Sequence, residues 1–258
     1  MALTHSLNGT DLATHKIYVS GNSETWHSSP KFARAAASSP GRLRRYFAAL
    51  DAASARPFVF PFGINAFNVT DRQTEADWIK GFLRQSVTYQ YSDGVTTRQL
   101  VGIMTDVSLT PVGGQANATV LRGTFTIDPE EPLWRATSDT VLGPLGNSDT
   151  PIVLGNAPCE DWVLAITVSG GSDPRTFTIT IKNGGGTTLH TLTWTGSLSS
   201  NTLTISALAQ SVKNNVTDAI ATFSGGFPVL DPKDSPTIRV VASSGTATGS
   251  LTHRKRYY

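Results

Sequence analysis

Cysteine occurs once in the chain, at Cys159. A single thiol rules out both an internal disulfide and a cysteine-based metal site. Charge is sparse as well: Asp, Glu, Lys and Arg make up 16 % of the 258 residues, and the formal net charge is +2. The usual share is about a quarter, and so small a balance does not mark a nucleic-acid binder. No apolar run approaches the roughly 18 residues of a membrane-spanning helix, so no membrane insertion is expected. Residues 1–16, MALTHSLNGTDLATHK, lack the basic start and apolar centre of a secretion signal. Folding in a reducing cytoplasm is the expectation, with Cys159 a small buried hydrophobe.

What the chain does contain is turn formers and alternation. There are 23 glycines and 14 prolines, with abundant Thr and Ser, a composition suited to strands and tight turns. Residues 176–181, TFTITI, alternate apolar and hydroxyl side chains with period two, the mark of a strand with one buried face. Asn183-Gly184-Gly185-Gly186 follows, and alternation resumes from Thr188 to Trp194, giving a hairpin. A hairpin is not stable alone, so the block 162–205 predicts a β-sandwich.

Upstream, residues 16–20 read as a short strand, and residues 57–64, PFVFPFGI, as a buried strand with prolines near its ends. Residues 86–91 and 95–109 flank the turn Ser92-Asp93-Gly94 as a second hairpin, and residues 117–128 form a further strand. Thr74 with Asp77 three residues on, followed by Ile79, Phe82 and Leu83, predicts one helix over 74–86. Segment 31–56 is open between helix, for 42–53, and strand or loop. Downstream, 206–222 reads as two short strands joined by a turn at Asn214-Asn215, and 237–242 and 249–258 as strands. Prolines and glycines crowd residues 129–160, which places a boundary near Pro132. The expected organisation is therefore an α+β domain over 1–132 and a β-sandwich over 133–258, mainly β overall.

Candidate chemistry is thin. The histidines, at 5, 15, 27, 190 and 253, have no ligand-type spacing to one another, and no nucleophile elbow or phosphate loop occurs. No catalytic residue, metal ligand or cofactor is assigned. Glu130-Glu131 and Glu160-Asp161 are adjacent acid pairs, the one opening for a hydrolase. Neighbours on an extended chain point to opposite sides, so neither pair is expected to face one site. Arg42, Arg44 and Arg45 form a basic cluster that invites a nucleic-acid reading, against a solvated face or an ion-pairing surface in an assembly. Residues 253–258, HRKRYY, close the chain as a basic, aromatic run, read as a strand with a wet basic face or as a nucleic-acid contact. Trp162 and Trp194 are the aromatics a sugar could stack on, which motivates an alternative reading as a carbohydrate-binding module for cell-surface glycans.

Several elements in fixed order resemble the distal tail proteins of long-tailed bacteriophages. They are Pro132-Leu133-Trp134, Gly155-Asn156-Ala157-Pro158, the strand Leu203 to Ile205, Phe227-Pro228-Val229-Leu230-Asp231-Pro232, and Arg254-Lys255-Arg256-Tyr257-Tyr258. The likeness covers about the last 130 residues; the first half matches in layout alone. The Ala-rich segment 33–55 departs from it, as does Ser206, where the family usually has an acid. The resemblance implies an N-terminal domain that builds a homohexameric ring and a galectin-like C-terminal sandwich. It further implies a virion location at the tail tip, with the tail tube protein and the tail hub as neighbours and phage DNA passing through the lumen without sequence recognition. Six copies would also bury strand edges that a monomer exposes.

Overall fold

A computed structural model describes residues 3–20, 57–115, 117–131, 133–198 and 202–257. Segment 31–56, and with it Arg42, Arg44 and Arg45, lies outside the described residues. The chain divides into two compact units, Met1–Thr137 and Ser138–Tyr257.

The first unit is built on one curled antiparallel sheet. Its strands are β1 (Thr4–Leu7), β2 (Thr10–Asp11), β3 (Ile17–Val19), β4 (Phe58–Asn65), β5 (Ser86–Ser92), β6 (Thr97–Pro111), β7 (Val120–Pro129) and β8 (Trp134–Ala136). They lie in the order β2-β1-β5-β6-β7-β4-β3, with β8 beside β6. Alternation decides the faces: Phe60, Phe62 and Ile64 of β4 are buried, as are Val87, Tyr89 and Tyr91 of β5. The aromatic rings interlock, with Phe60 4.4 Å from Tyr89 and 4.9 Å from Phe125 between centroids, and Tyr91 edge-on to Trp134 at 5.1 Å. A bulge between Met104 and Asp106 and two close approaches curl the sheet. A Cβ on Gly102 would lie 2.2 Å from the Asp128 carbonyl oxygen, and one on Gly123 1.8 Å from that of Ser108.

The helix, α1, spans Val69–Lys80 and not 74–86. Its cap is Asn68, whose side chain accepts the Asp71 N–H at 2.8 Å. Thr74, read from sequence as the cap, is inside the helix and instead donates its hydroxyl to the Thr70 carbonyl. Ala76 and Ile79 are buried, but Phe82 and Leu83 fall beyond the end of the helix. Glu75 is buried too, and accepts from His15 Nδ1 at 2.7 Å while the His15 ring stacks on Trp78 at 3.7 Å. These contacts seat α1 against the 3-10 turn Leu12–His15 that leads into β3.

The second unit is a sandwich. One sheet runs β10 (Thr150–Pro151), β18 (Thr237–Ala242), β12 (Arg175–Lys182), β13 (Thr188–Gly196), β17 (Phe223–Ser224). The other runs β16 (Thr217–Asp218), β15 (Ser211–Asn214), β14 (Leu203–Ser206), β11 (Val163–Ser169), β19 (Thr246–His253), β9 (Thr140–Leu145). Phe177, Ile179 and Ile181 of β12 point into a shared core with Leu164 and Ile166 of β11 and Leu203 and Ile205 of β14. The hydroxyl partners Thr176 and Thr178 face outward. Three of the four outermost strands have two residues each, which limits the open backbone available to a stray strand.

Candidate assembly surface

Among the described residues, the outward side of the first unit's sheet is uncovered and mixed in character. Tyr18 of β3 stands beside Gly63 of β4, which pairs with Arg122 of β7, itself opposite Thr110 of β6. The next two rows are Pro61, Thr124, Ser108 and Val59, Thr126, Asp106. Ile103 continues the same side beyond the bulge, opposite Asp128. Tyr18, Val59 and Ile103 are each about half exposed, at 55 %, 49 % and 49 %. The three stand singly, with Gly63, Pro61, Thr126 and Asp128 between them, so the face is a mixed surface of threonines, opposite charges and isolated apolar side chains, the composition of a non-obligate protein contact. Sequence reading did not single out this face, although the period-two pattern of β4 and β6 already assigns these side chains to the side away from the core.

The residues that sequence did single out lie elsewhere. Trp162 and Trp194 are 1 % and 2 % exposed. Trp162 donates its indole N–H to the Pro228 carbonyl, and Trp194 to that of Ala219. Neither ring has a face for a sugar to stack on, because both belong to the sandwich core. The acids Glu160 and Asp161 do come together, contrary to the alternation argument: Arg256 reaches Glu160 at 3.3 Å and Asp161 at 3.4 Å. The two acids lie between the isolated bridge at Cys159 and the start of β11, outside any regular strand, and the long Arg256 side chain presents a different nitrogen to each. Both carboxylates are thus engaged by a cation. Glu131 lies 4.0 Å from Arg135 in the first unit.

The basic run is not a free strip either. Arg256 is 5 % exposed and held by those two acids, and Arg254 donates to Asp139 at 2.8 Å. Cys159 is fully buried with its thiol 3.2 Å from Asp161, and burial, with the Asp161 charge adding, pushes its pKa up to about 12. A thiol so placed stays protonated at neutral pH and is a poor nucleophile. Burial lowers the His5 pKa; that ring bonds the Tyr89 hydroxyl at 2.8 Å. Among the described residues no group of three or more His, Cys, Asp or Glu side chains could hold a metal ion.

No protein-family profile and no curated protein matches the sequence. Among solved structures, the SPP1 Dit protein, gp 19.1, is similar over 100 % of both chains, with a TM-score of 0.65 and 13 % identity. This chain has the phage distal tail protein fold. The SPP1 protein is described as a paradigm of the hub adsorption apparatus in phages infecting Gram-positive bacteria. A chain of the phage P2 baseplate in its activated conformation with Ca aligns over 99 % of this chain and 98 % of its own, at 9 % identity and a TM-score of 0.44. The Dit fold carries both units, so the likeness read from motifs in the second half extends to the first half as well.

Proposed function

We propose that this chain is a structural subunit of a phage tail tip, forming a six-membered ring between the tail tube and the hub, with a lumen through which DNA passes. The observation that carries this reading is the end-to-end match of both units to a solved phage distal tail protein. A match confined to the sandwich would fit many unrelated binding modules, since function does not follow from such a fold. The first unit supports the reading through its open sheet face with Tyr18, Val59 and Ile103. A closed ring is built head to tail, so each subunit needs two different complementary patches. That face supplies one, and Arg42, Arg44 and Arg45 are proposed to line the lumen or the neighbouring contact. DNA passage needs no base readout, which suits a chain of net charge +2. Of the two acid pairs considered for hydrolysis, Glu160 and Asp161 are tied to Arg256, which supports a non-enzymatic role.

Native mass spectrometry of the purified chain tests the assembly. A species of about six times the 27.5 kDa chain mass is expected. A chain that stays monomeric at high concentration, and that forms no ring in isolated virions, contradicts it.

A further inference from the structure

We propose that two strand edges of the first unit pair antiparallel between neighbouring copies of the chain, a contact that rests on the ring reading above. One edge is β6 over residues 105–111; the other is β3 of the next copy, around Tyr18 and Val19.

β6 outruns β5. Their pairing ends with Ile103 opposite Ser86, and the last bonds on that side run from Met104 N–H to the Gln85 carbonyl and from Arg84 N–H to that of Met104. The bulge between Met104 and Asp106 then bends β6, while β7 stays paired with its other side as far as Pro111. Among the described residues no strand lies beside 105–111 on the β5 side. Every residue of that stretch is exposed or half-buried. An open edge of this length is a template for another strand. β3 is the outermost strand at one end of the same sheet. Ile17 is buried, but Tyr18 and Ser20 are exposed and Val19 is half-buried, so the contact falls on those three.

The two edges agree in direction, hydrogen-bonding phase and face. β6, β7, β4 and β3 are antiparallel in turn, so β3 runs opposite to β6. A copy related by rotation about a ring axis therefore brings its β3 alongside β6 antiparallel, and the two patches are different, as head-to-tail closure requires. The Ser108 carbonyl oxygen lies on the β7 side, 1.8 Å from where a Cβ on Gly123 would stand. Backbone groups alternate along a strand, so Val107 and Leu109 direct their N–H and C=O to the open side. On β3, Ser20 donates to the Pro61 carbonyl and the Lys16 carbonyl accepts from Asn65, so Val19 directs its own pair away from β4. Side chains follow the same rule. Val107, Leu109 and Val19 are half-buried, and Ser108, Thr110 and Tyr18 are exposed. Joining Val19 to either Val107 or Leu109 keeps the apolar side chains on one face and sets Tyr18 opposite Ser108 or Thr110.

Cysteine cross-linking of the full chain tests the contact. Residues opposite each other at such a non-hydrogen-bonded pair have Cα atoms about 4.5 Å apart, within disulfide reach. Within one chain β4 and β7 separate Tyr18 from Thr110 by about 14 Å, too far for a bridge. Cys159 is buried and does not compete. Tyr18→Cys combined with Ser108→Cys, or with Thr110→Cys, is expected to give on oxidation a reducible ladder of linked chains in one of the two pairings. Tyr18→Cys with Arg122→Cys, on the interior strand β7, is expected to give none. Leu109→Pro removes an N–H from the open edge and none from the β7 ladder, so it is expected to leave thermal stability unchanged and to weaken assembly at least about tenfold by native mass spectrometry. A ring that forms while neither pairing cross-links overturns the edge contact and leaves the ring standing; a wild-type chain that stays monomeric overturns both. Equal cross-linking through Arg122→Cys, or unchanged assembly of a folded Leu109→Pro chain, also overturns the edge contact.

Discussion

Trp162 donates its indole N–H to the carbonyl of Pro228 at 2.8 Å, across 66 residues of sequence. Cys159 and Leu230, two or three positions away on either side, exchange a pair of backbone hydrogen bonds at 2.9 Å. Ala157 donates to the Arg256 carbonyl at 3.2 Å, and a Cβ on Gly155 would lie 1.9 Å from that same oxygen. Three stretches that sequence shows as separate motifs, around residues 155–158, 227–232 and 254–256, therefore meet along one seam of the sandwich.

Replacing Trp162 by Phe removes the donor, leaves the Pro228 carbonyl unpaired and opens a small cavity. The expected loss is about 2 kcal/mol of stability for the second unit. Urea denaturation checks it: the midpoint falls while the slope stays the same. An unchanged midpoint means that the indole hydrogen bond contributes nothing.

Arg256 is buried between Glu160 and Asp161. Truncation to Ala strands two carboxylates beside a buried pocket, and a loss of about 3 kcal/mol is expected. Arg256→Lys is expected to recover part of that, because an ammonium group cannot present the planar fork to two acids at once. Thermal melts of the three chains rank them; equal stability of the Ala and wild-type chains contradicts the assignment.

Gly123→Ala places a methyl group 1.8 Å from the Ser108 carbonyl oxygen, a contact that backbone must move to relieve. A cost of about 2–4 kcal/mol in the first unit is expected. Hydrogen exchange should localise the loss to β6 and β7. Gly113→Ala is the control: a Cβ there meets no atom within 4 Å, although its φ of 76° strains the backbone of any other residue. It is expected to cost less than Gly123→Ala.

His253 is 1 % exposed, and neither ring nitrogen has a partner among the described residues. Burial lowers its pKa, as does Lys255, while Asp161 and Asp139 act in the opposite direction. A lowered folded-state pKa means that the neutral ring is the one the fold accepts. The stability it gives is therefore present above the unfolded value of about 6.5 and is lost as pH falls through the folded value. His190, also lowered by burial, has the same sign and contributes to the same slope. The melting temperature of the second unit should decline below about pH 6.5, and His253→Leu should flatten that decline. An unaltered pH profile in that variant contradicts the role.

The sandwich was legible because period-two alternation in TFTITI and in the run from Thr188 to Trp194 is a local property of the chain. The turn at Asn214-Asn215 was legible for the same reason, since Asn tolerates the left-handed conformation found at Asn215. The helix start was misplaced because Asn68 and Thr74 are both cap-type residues, and it is Asn68 that accepts the Asp71 N–H while the contact of Glu75 with His15 holds the helix against the segment before β3. The convergence of Glu160 and Asp161 on Arg256 joins residues 96 positions apart through an irregular segment, where no periodicity applies.

Electron microscopy of the assembled particle, with this chain located along the tail axis, bears most directly on the proposed role. A ring of six copies encircling the axis between tube and hub, the first unit forming the ring contacts, is the expected image. A monomer attached at the periphery, or a ring closed through the second unit alone, contradicts it.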